Sequence, residues 1–125
     1  MILLVDDSAT IRSVLKVYLM GLGREFVEAE DGVRALRLVR LMDVELIIAD
    51  VNMPVMDGLA FTRELRASAD GRLRSVPVIL LTSEQGPEIE VKGREAGVQA
   101  ILHKPVDPGQ LTREVEPLLK KSGKA

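Results

Sequence analysis

An alternation is what most restricts the fold of this chain. Strand-like runs at residues 2–5, 25–29, 46–49, 76–81 and 98–102 are separated by stretches whose apolar residues recur at helical spacing. In the central run Leu46, Ile47, Ile48 and Ala49 follow one another without a polar break and then meet Asp50. A short, uninterrupted, β-branched run reads as a strand buried on both faces. Five such strands alternating with five helices predict an α/β domain: a parallel five-stranded sheet with five helices on both faces. Open sheets of this kind bind ligands in the crevice beyond the carboxyl ends of their strands. Asp50 stands at such an end, as a site residue or as an ordinary turn former.

The helices are delimited by residues suited to their ends. Ser8 is a good N-cap, with Ile11, Val14, Leu15, Tyr18 and Leu19 on one face of the helix that follows, and Gly21 to Gly23 stop it. Residues 25–29 are of mixed polarity, as on an edge strand. Asp31 and Gly32 turn the chain into a second helix. Asp57 precedes a third helix and reads as its N-cap, not as a ligand. Residues 68–75 read as a polar loop. A helix over residues 87–96 is weakened by Gly93, and Pro117 should kink or shorten the last helix near Arg113. Residues 1–120 are expected to form one domain, with a frayed, solvated tail from Lys120 through 121–125.

Composition removes several function classes. Seventeen basic residues against nineteen acidic ones leave a net charge of −2, which gives no electrostatic reason to expect a nucleic acid or a membrane surface as partner. There is no cysteine, so thiolate metal sites and disulfides are out, and the cytoplasm is the expected location. No apolar run approaches the ~18–20 residues of a membrane helix. Aromatic residues are 2% of the chain, too few for a base-stacking platform.

Four strands end in polar residues of particular kinds: Asp6 and Asp7, Asp50, Thr82, and Lys104. Each has an ordinary reading, as turn former, cap or solvated lysine. All four at one edge of one sheet is an improbable coincidence. With the strands in the flavodoxin-like order 2-1-3-4-5 and ~4.8 Å apart, these side chains converge on a narrow pocket. Close carboxylates repel by ~4 kcal/mol per pair at an effective dielectric near 20, so the cluster calls for a cation. Mg2+ suits hard oxygen donors, and nothing in the pattern argues for zinc. A lysine and a hydroxyl nearby complete a site for phosphoryl transfer to or from a carboxylate.

These residues, with Asn52, Met53 and Pro54 after Asp50, Met56, Asp57 and Gly58, Leu81 and Ser83 around Thr82, and Pro105 after Lys104, make the sequence resemble the receiver domain of two-component response regulators. The resemblance runs from residue 1 to about 120. It implies that Asp50 is the phosphoacceptor, taking the group from a sensor histidine kinase, a phosphotransfer protein or a small acyl phosphate. It implies Mg2+ held by Asp7, Asp50 and the backbone carbonyl of Asn52, with Asp6 acting mainly through a water. Lys104 pairs with the phosphoryl group, and Thr82 swings toward it. Asn52 and Glu84 tune slow self-dephosphorylation. A downstream target protein reads the surface of the fourth helix, fifth strand and fifth helix, on a monomer or a phosphorylation-dependent homodimer.

One position departs from the family. The aromatic switch residue three positions before the lysine is here Ile101, which has no ring to rotate. Output is then expected to rest on Thr82 and the loop beginning at Ser83, with Ile101 either part of that device or simply packed against the fourth helix. Gly93 and Pro117 point to output helices less regular than usual. His103, the single histidine, is expected at the surface without a catalytic role. A second reading is a haloacid-dehalogenase-type phosphatase, but its general-acid aspartate would stand at Asn52. A third, a flavodoxin-like flavin carrier, is opposed by the acidic first loop and the lack of Trp. The chain is expected to be a stand-alone receiver or a piece of a longer regulator.

Overall fold

The computed structural model describes residues 1–120. Strands β1 (Ile2–Val5), β2 (Phe26–Ala29), β3 (Leu46–Asp50), β4 (Val78–Thr82) and β5 (Ala100–His103) form one parallel sheet in the order β2-β1-β3-β4-β5. Helices α1 (Ala9–Leu19), α2 (Gly32–Leu41), α3 (Gly58–Arg66), α4 (Gly71–Ser75), α5 (Glu88–Ala96) and α6 (Pro108–Val115) lie between and after them. Alternate strand residues point to opposite faces. Leu3, Val5, Ile47, Ala49, Val78 and Leu80 face a layer made by α2 to α5, and Ile2, Leu4, Leu46, Ile48, Ile79 and Leu81 face α1 and α6. Every residue of β1, β3 and β4 is buried, which is why these runs carry no polar break before their ends. The mixed run is the edge strand β2, as its composition foretold.

The caps explain where the helices begin. Ser8 accepts from the Ile11 amide at 3.2 Å, Asp57 from the Ala60 amide at 2.8 Å, and Asp107 from the Gln110 amide at 2.8 Å. Asp31 caps α2 in the same way, so it opens a helix as well as turning the chain.

The expected five helices become six. Residues 68–75 hold one extra turn, α4, capped by Asp70 and pinned by the buried Leu73. One apolar residue among arginines and serines leaves no periodicity to read, so the turn was hidden as loop. The fourth helix of the sequence analysis is therefore α5. α6 ends at Val115, two residues beyond Arg113, and Pro117 lies in a short 3-10 turn, Glu116–Leu118. Val14 is exposed rather than on the buried face of α1, which covers the sheet through Leu15 and Leu19, flanked by the partly buried Ile11 and Tyr18. Val55, between β3 and α3, has φ 71°, the left-handed region that a β-branched side chain rarely adopts.

Two polar clusters fasten the amino edge of the sheet. Arg66, at the end of α3, donates through Nε and Nη2 to the Gly97 carbonyl at 3.0 and 2.8 Å and through Nη1 to the Arg74 carbonyl at 3.2 Å. Burial lowers its pKa. At the same edge, just before β3, the buried Glu45 accepts from the Met1 ammonium at 3.1 Å, from Arg24 Nε at 3.1 Å and from the Lys120 amide at 3.0 Å. Lys120, expected to fray, is thus tied to the sheet, and residues 121–125 lie outside the described residues.

Burial alone raises the Glu45 pKa, but the ammonium, the Lys120 amide and Arg24 outweigh it and hold it below the ordinary value of 4.5. A carboxyl depressed on folding stabilises the native state above its unfolded pKa, and that stability is lost as pH falls through the folded one. Glu45→Gln is therefore expected to cost about 1–2 kcal/mol at pH 7 and progressively less below about pH 4.5. Urea unfolding of both proteins across pH 3–7 measures the convergence.

Candidate acidic site at the carboxyl edge of the sheet

β1 delivers Asp6 one residue beyond its last apolar position. The Asp6 amide stays paired with the Ala29 carbonyl of β2 at 3.1 Å, and Arg12 donates to the Asp6 carbonyl, so the backbone is held from two sides. The carboxylate is almost fully buried, and its Oδ1 accepts from the Ser8 amide at 2.8 Å. Asp7, next along, is exposed. β3 carries Asp50 at its last position, buried against the neighbouring strands, and the Val51 amide continues the pairing to the Leu81 carbonyl at 2.9 Å. The only hydrogen bond to the Asp50 carboxylate among the described residues is a long one, 3.4 Å from the Asn52 amide.

The three carboxylates converge: one oxygen from each of Asp6, Asp7 and Asp50 lies within 4.8 Å of the others. β5 brings Lys104 to them. Its amide donates to the Thr82 carbonyl at 2.7 Å, and its Nζ lies 3.2 Å from Asp50 Oδ2 and 3.6 Å from Asp6 Oδ2. The Lys104–Pro105 peptide is cis. Burial pushes the Asp6 carboxyl above its usual range. The Ser8 amide and Lys104 pull it down, while Asp50 and Asp7 push it further up.

One observation tests whether this set suits a divalent cation. Asp6 Oδ2 is buried and has no hydrogen-bond partner. A buried carboxylate oxygen left so is costly. Lys104 is one positive charge against three carboxylates. Hard oxygen donors, an orphaned oxygen and surplus negative charge fit Mg2+. A histidine or cysteine is absent from the cluster.

The remaining expected residues surround this cluster. Thr82 is fully buried, and its hydroxyl accepts from the Glu84 amide at 2.9 Å. Asn52 and Glu84 are exposed at the rim. Ile101 is half-buried on β5 and packs into a notch of α5 at Gly93. A Cβ on Gly93 would overlap Ile101 Cδ1 and come within 3.1 Å of its Cγ1. The glycine that weakens the helix in sequence is what lets α5 lie on β5.

Two residues named in the sequence make contacts here that their positions do not announce. Gly58 begins α3 against the back of Asp50; a Cβ there would stand 2.5 Å from the Asp50 carbonyl oxygen. In sequence it stands beside the cap Asp57, with no signal for that approach. His103 is only partly exposed, and its Nδ1 lies 3.1 Å from the Glu84 carbonyl oxygen.

A family model described as the response regulator receiver domain matches residues 2–116. Chemotaxis protein CheY1 of Helicobacter pylori is 39% identical over 120 residues, covering 94% of this chain and 95% of that protein. The structure of the chemotaxis response regulator CheY4 of Vibrio cholerae is similar at a TM-score of 0.84 with 35% identity, covering 94% of this chain and 97% of that one. The receiver domain of a sensor histidine kinase from Pseudomonas aeruginosa, solved with a magnesium ion coordinated in its active-site cleft, matches at a TM-score of 0.79 with 33% identity over 90% of both chains. These relatives lend no support to the phosphatase alternative.

Proposed function

This chain belongs to the response regulator receiver domain family and serves two-component phosphorelay signalling, and on that premise we propose that Asp50 is its phosphoacceptor. The observation that carries the choice is the position of the Asp50 carboxylate. It faces Lys104 Nζ at 3.2 Å and is held by a single long hydrogen bond, whereas Asp6 is more deeply buried and committed to the Ser8 amide. Of the two buried carboxylates, Asp50 thus has the nearer cation, the greater access and the looser hydrogen bond.

In the forward step an Asp50 oxygen attacks phosphorus, an O–P bond forms, and the bond from phosphorus to the donor's imidazole nitrogen or acyl oxygen breaks. The transferred group keeps its three outer oxygens, and Lys104 is placed to bind one of them. Asp6, Asp7, Asp50 and the Asn52 carbonyl would hold Mg2+, with Asp6 reaching it mainly through a water. When bound, the ion supplies positive charge against the carboxylates and the phosphoryl oxygens. Self-dephosphorylation is attack by water on the aspartyl phosphate, with Asn52 and Glu84 at the rim where that water enters.

Output follows from the added charge of about −1.5 to −2. The Thr82 hydroxyl turns from the Glu84 amide toward a phosphoryl oxygen, and the segment after β4 moves with it. The surface of α5, β5 and α6 then changes for a downstream target protein. Ile101, seated at Gly93, follows α5 rather than rotating a ring. The phosphoryl donor is a sensor histidine kinase or a phosphotransfer protein, and the domain spans residues 1–120. It acts as a monomer or a phosphorylation-dependent homodimer in the cytoplasm, without binding nucleic acid itself. Among the described residues no helix is long and apolar enough to cross a membrane.

Acetyl phosphate with Mg2+ and intact-mass spectrometry tests the acceptor. The wild type should gain one phosphoryl group and Asp50→Asn none. An adduct of equal yield on Asp50→Asn would move the role to another carboxylate.

A further inference from the structure

We propose that His103 is a positioning residue, a latch that holds the segment after β4 in its resting place and so sets how readily the domain passes to its phosphorylated form. The proposal rests on the reading of Asp50 and Thr82 given above.

Residues 83–87 between β4 and α5 are all exposed. Gly86 has φ 97°, and Pro87 gives α5 no side-chain cap. Little in such a segment fixes its own path. Among the described residues two hydrogen bonds tie it back, both at Glu84. The Glu84 amide donates to Thr82 Oγ1 at 2.9 Å, and the Glu84 carbonyl receives His103 Nδ1 at 3.1 Å. A carbonyl oxygen only accepts, so Nδ1 must carry the proton. Thr82 and His103 are register partners across β4 and β5, which places the two anchors side by side.

The two anchors differ in what switching does to them. When the Thr82 hydroxyl turns to a phosphoryl oxygen it leaves the Glu84 amide. The histidine contact has no part in phosphoryl binding and persists until the segment itself departs. It therefore stabilises the resting arrangement selectively, and a ligand that needs the other arrangement must work against it. Loss of one such hydrogen bond corresponds to roughly a fivefold change in that equilibrium.

The test compares wild type, His103→Val and His103→Asn. Valine suits a strand but cannot donate, whereas the Asn amide can stand in for Nδ1–H. In the unliganded proteins, amide exchange at residues 84–86 should be several-fold faster in His103→Val than in the other two. With saturating Mg2+, beryllofluoride should bind His103→Val about fivefold more tightly than wild type, and His103→Asn within about twofold of it. A histidine that merely supported the fold would weaken this affinity when removed. Equal exchange in all three proteins, an unchanged or weaker affinity in His103→Val, or an Asn variant that behaves like Val, each overturns the latch. A wild type that binds no beryllofluoride overturns the acceptor reading instead, and does so whatever the exchange shows.

Discussion

Lys104→Ala will bind Mg2+ several-fold more tightly than the wild type and will accept a phosphoryl group at least about a hundredfold more slowly. The opposite signs come from one charge. Lys104 Nζ stands 3.2 Å from Asp50 and 3.6 Å from Asp6, where it partly neutralises the carboxylates and competes with any other cation for them. Its side chain is 24% exposed, so solvent weakens the competition, and a several-fold gain in metal affinity is the reasonable size. In the transfer step the balance reverses. Removing one donor aimed at developing phosphoryl charge typically costs about 100- to 1,000-fold. Calorimetric titration with Mg2+ and the initial rate of acetyl-phosphate labelling read the two effects separately. A variant that lost both together would mean that Lys104 supports the fold of the site rather than its chemistry.

Gly58→Ala will unfold at a temperature lower by roughly 10 °C and will lose most of its phosphorylation rate. The added methyl would meet the Asp50 carbonyl oxygen at 2.5 Å, Leu80 Cδ2 at 3.0 Å and Val51 Cα at 3.1 Å. Two of these three atoms are backbone, so no rotamer change relieves the overlap. The Gly58 amide also donates to the Val51 carbonyl at 2.9 Å, and its carbonyl accepts the buried Thr62 hydroxyl at 2.8 Å. The start of α3 is therefore fastened to the end of β3 and cannot back away. Overpacking of about 2–3 kcal/mol would be released by shifting either element, and shifting β3 displaces Asp50 from Lys104. Thermal melts together with the labelling rate test the pair of effects. Normal labelling in a destabilised variant would show that α3 yields and β3 does not.

The sheet was legible because its central strands are buried on both faces, which forces unbroken apolar runs that only a covered parallel sheet can use. Asp6, Asp7, Asp50 and Lys104 were legible for the complementary reason. Each charge ends a strand, so strand order alone brings them together. What escaped depends on distances that spacing does not encode. α4 rests on one buried leucine in a polar stretch. The tie at Lys120 depends on Glu45, seventy-five residues away. The seat at Gly58 and the notch at Gly93 are close approaches between elements, and in sequence each glycine looks like a turn or a defect. The partner of His103 escapes because a lone histidine on a strand end says nothing about which carbonyl faces it.

The grip of Arg66 on the Gly97 carbonyl fastens the last turn of α5 to α3, while the first turn rests on the buried Ile89 and, among the described residues, has no side-chain hydrogen bond to hold it. A rod held at one end can swing but not slide. α5 spans about 13 Å, so a tilt of about 10° leaves Gly97 in place and carries the far end roughly 2 Å. A partner that grips Glu88 would sense the whole arc, one at Val91 about two-thirds of it, and one seated near Ala96 almost none.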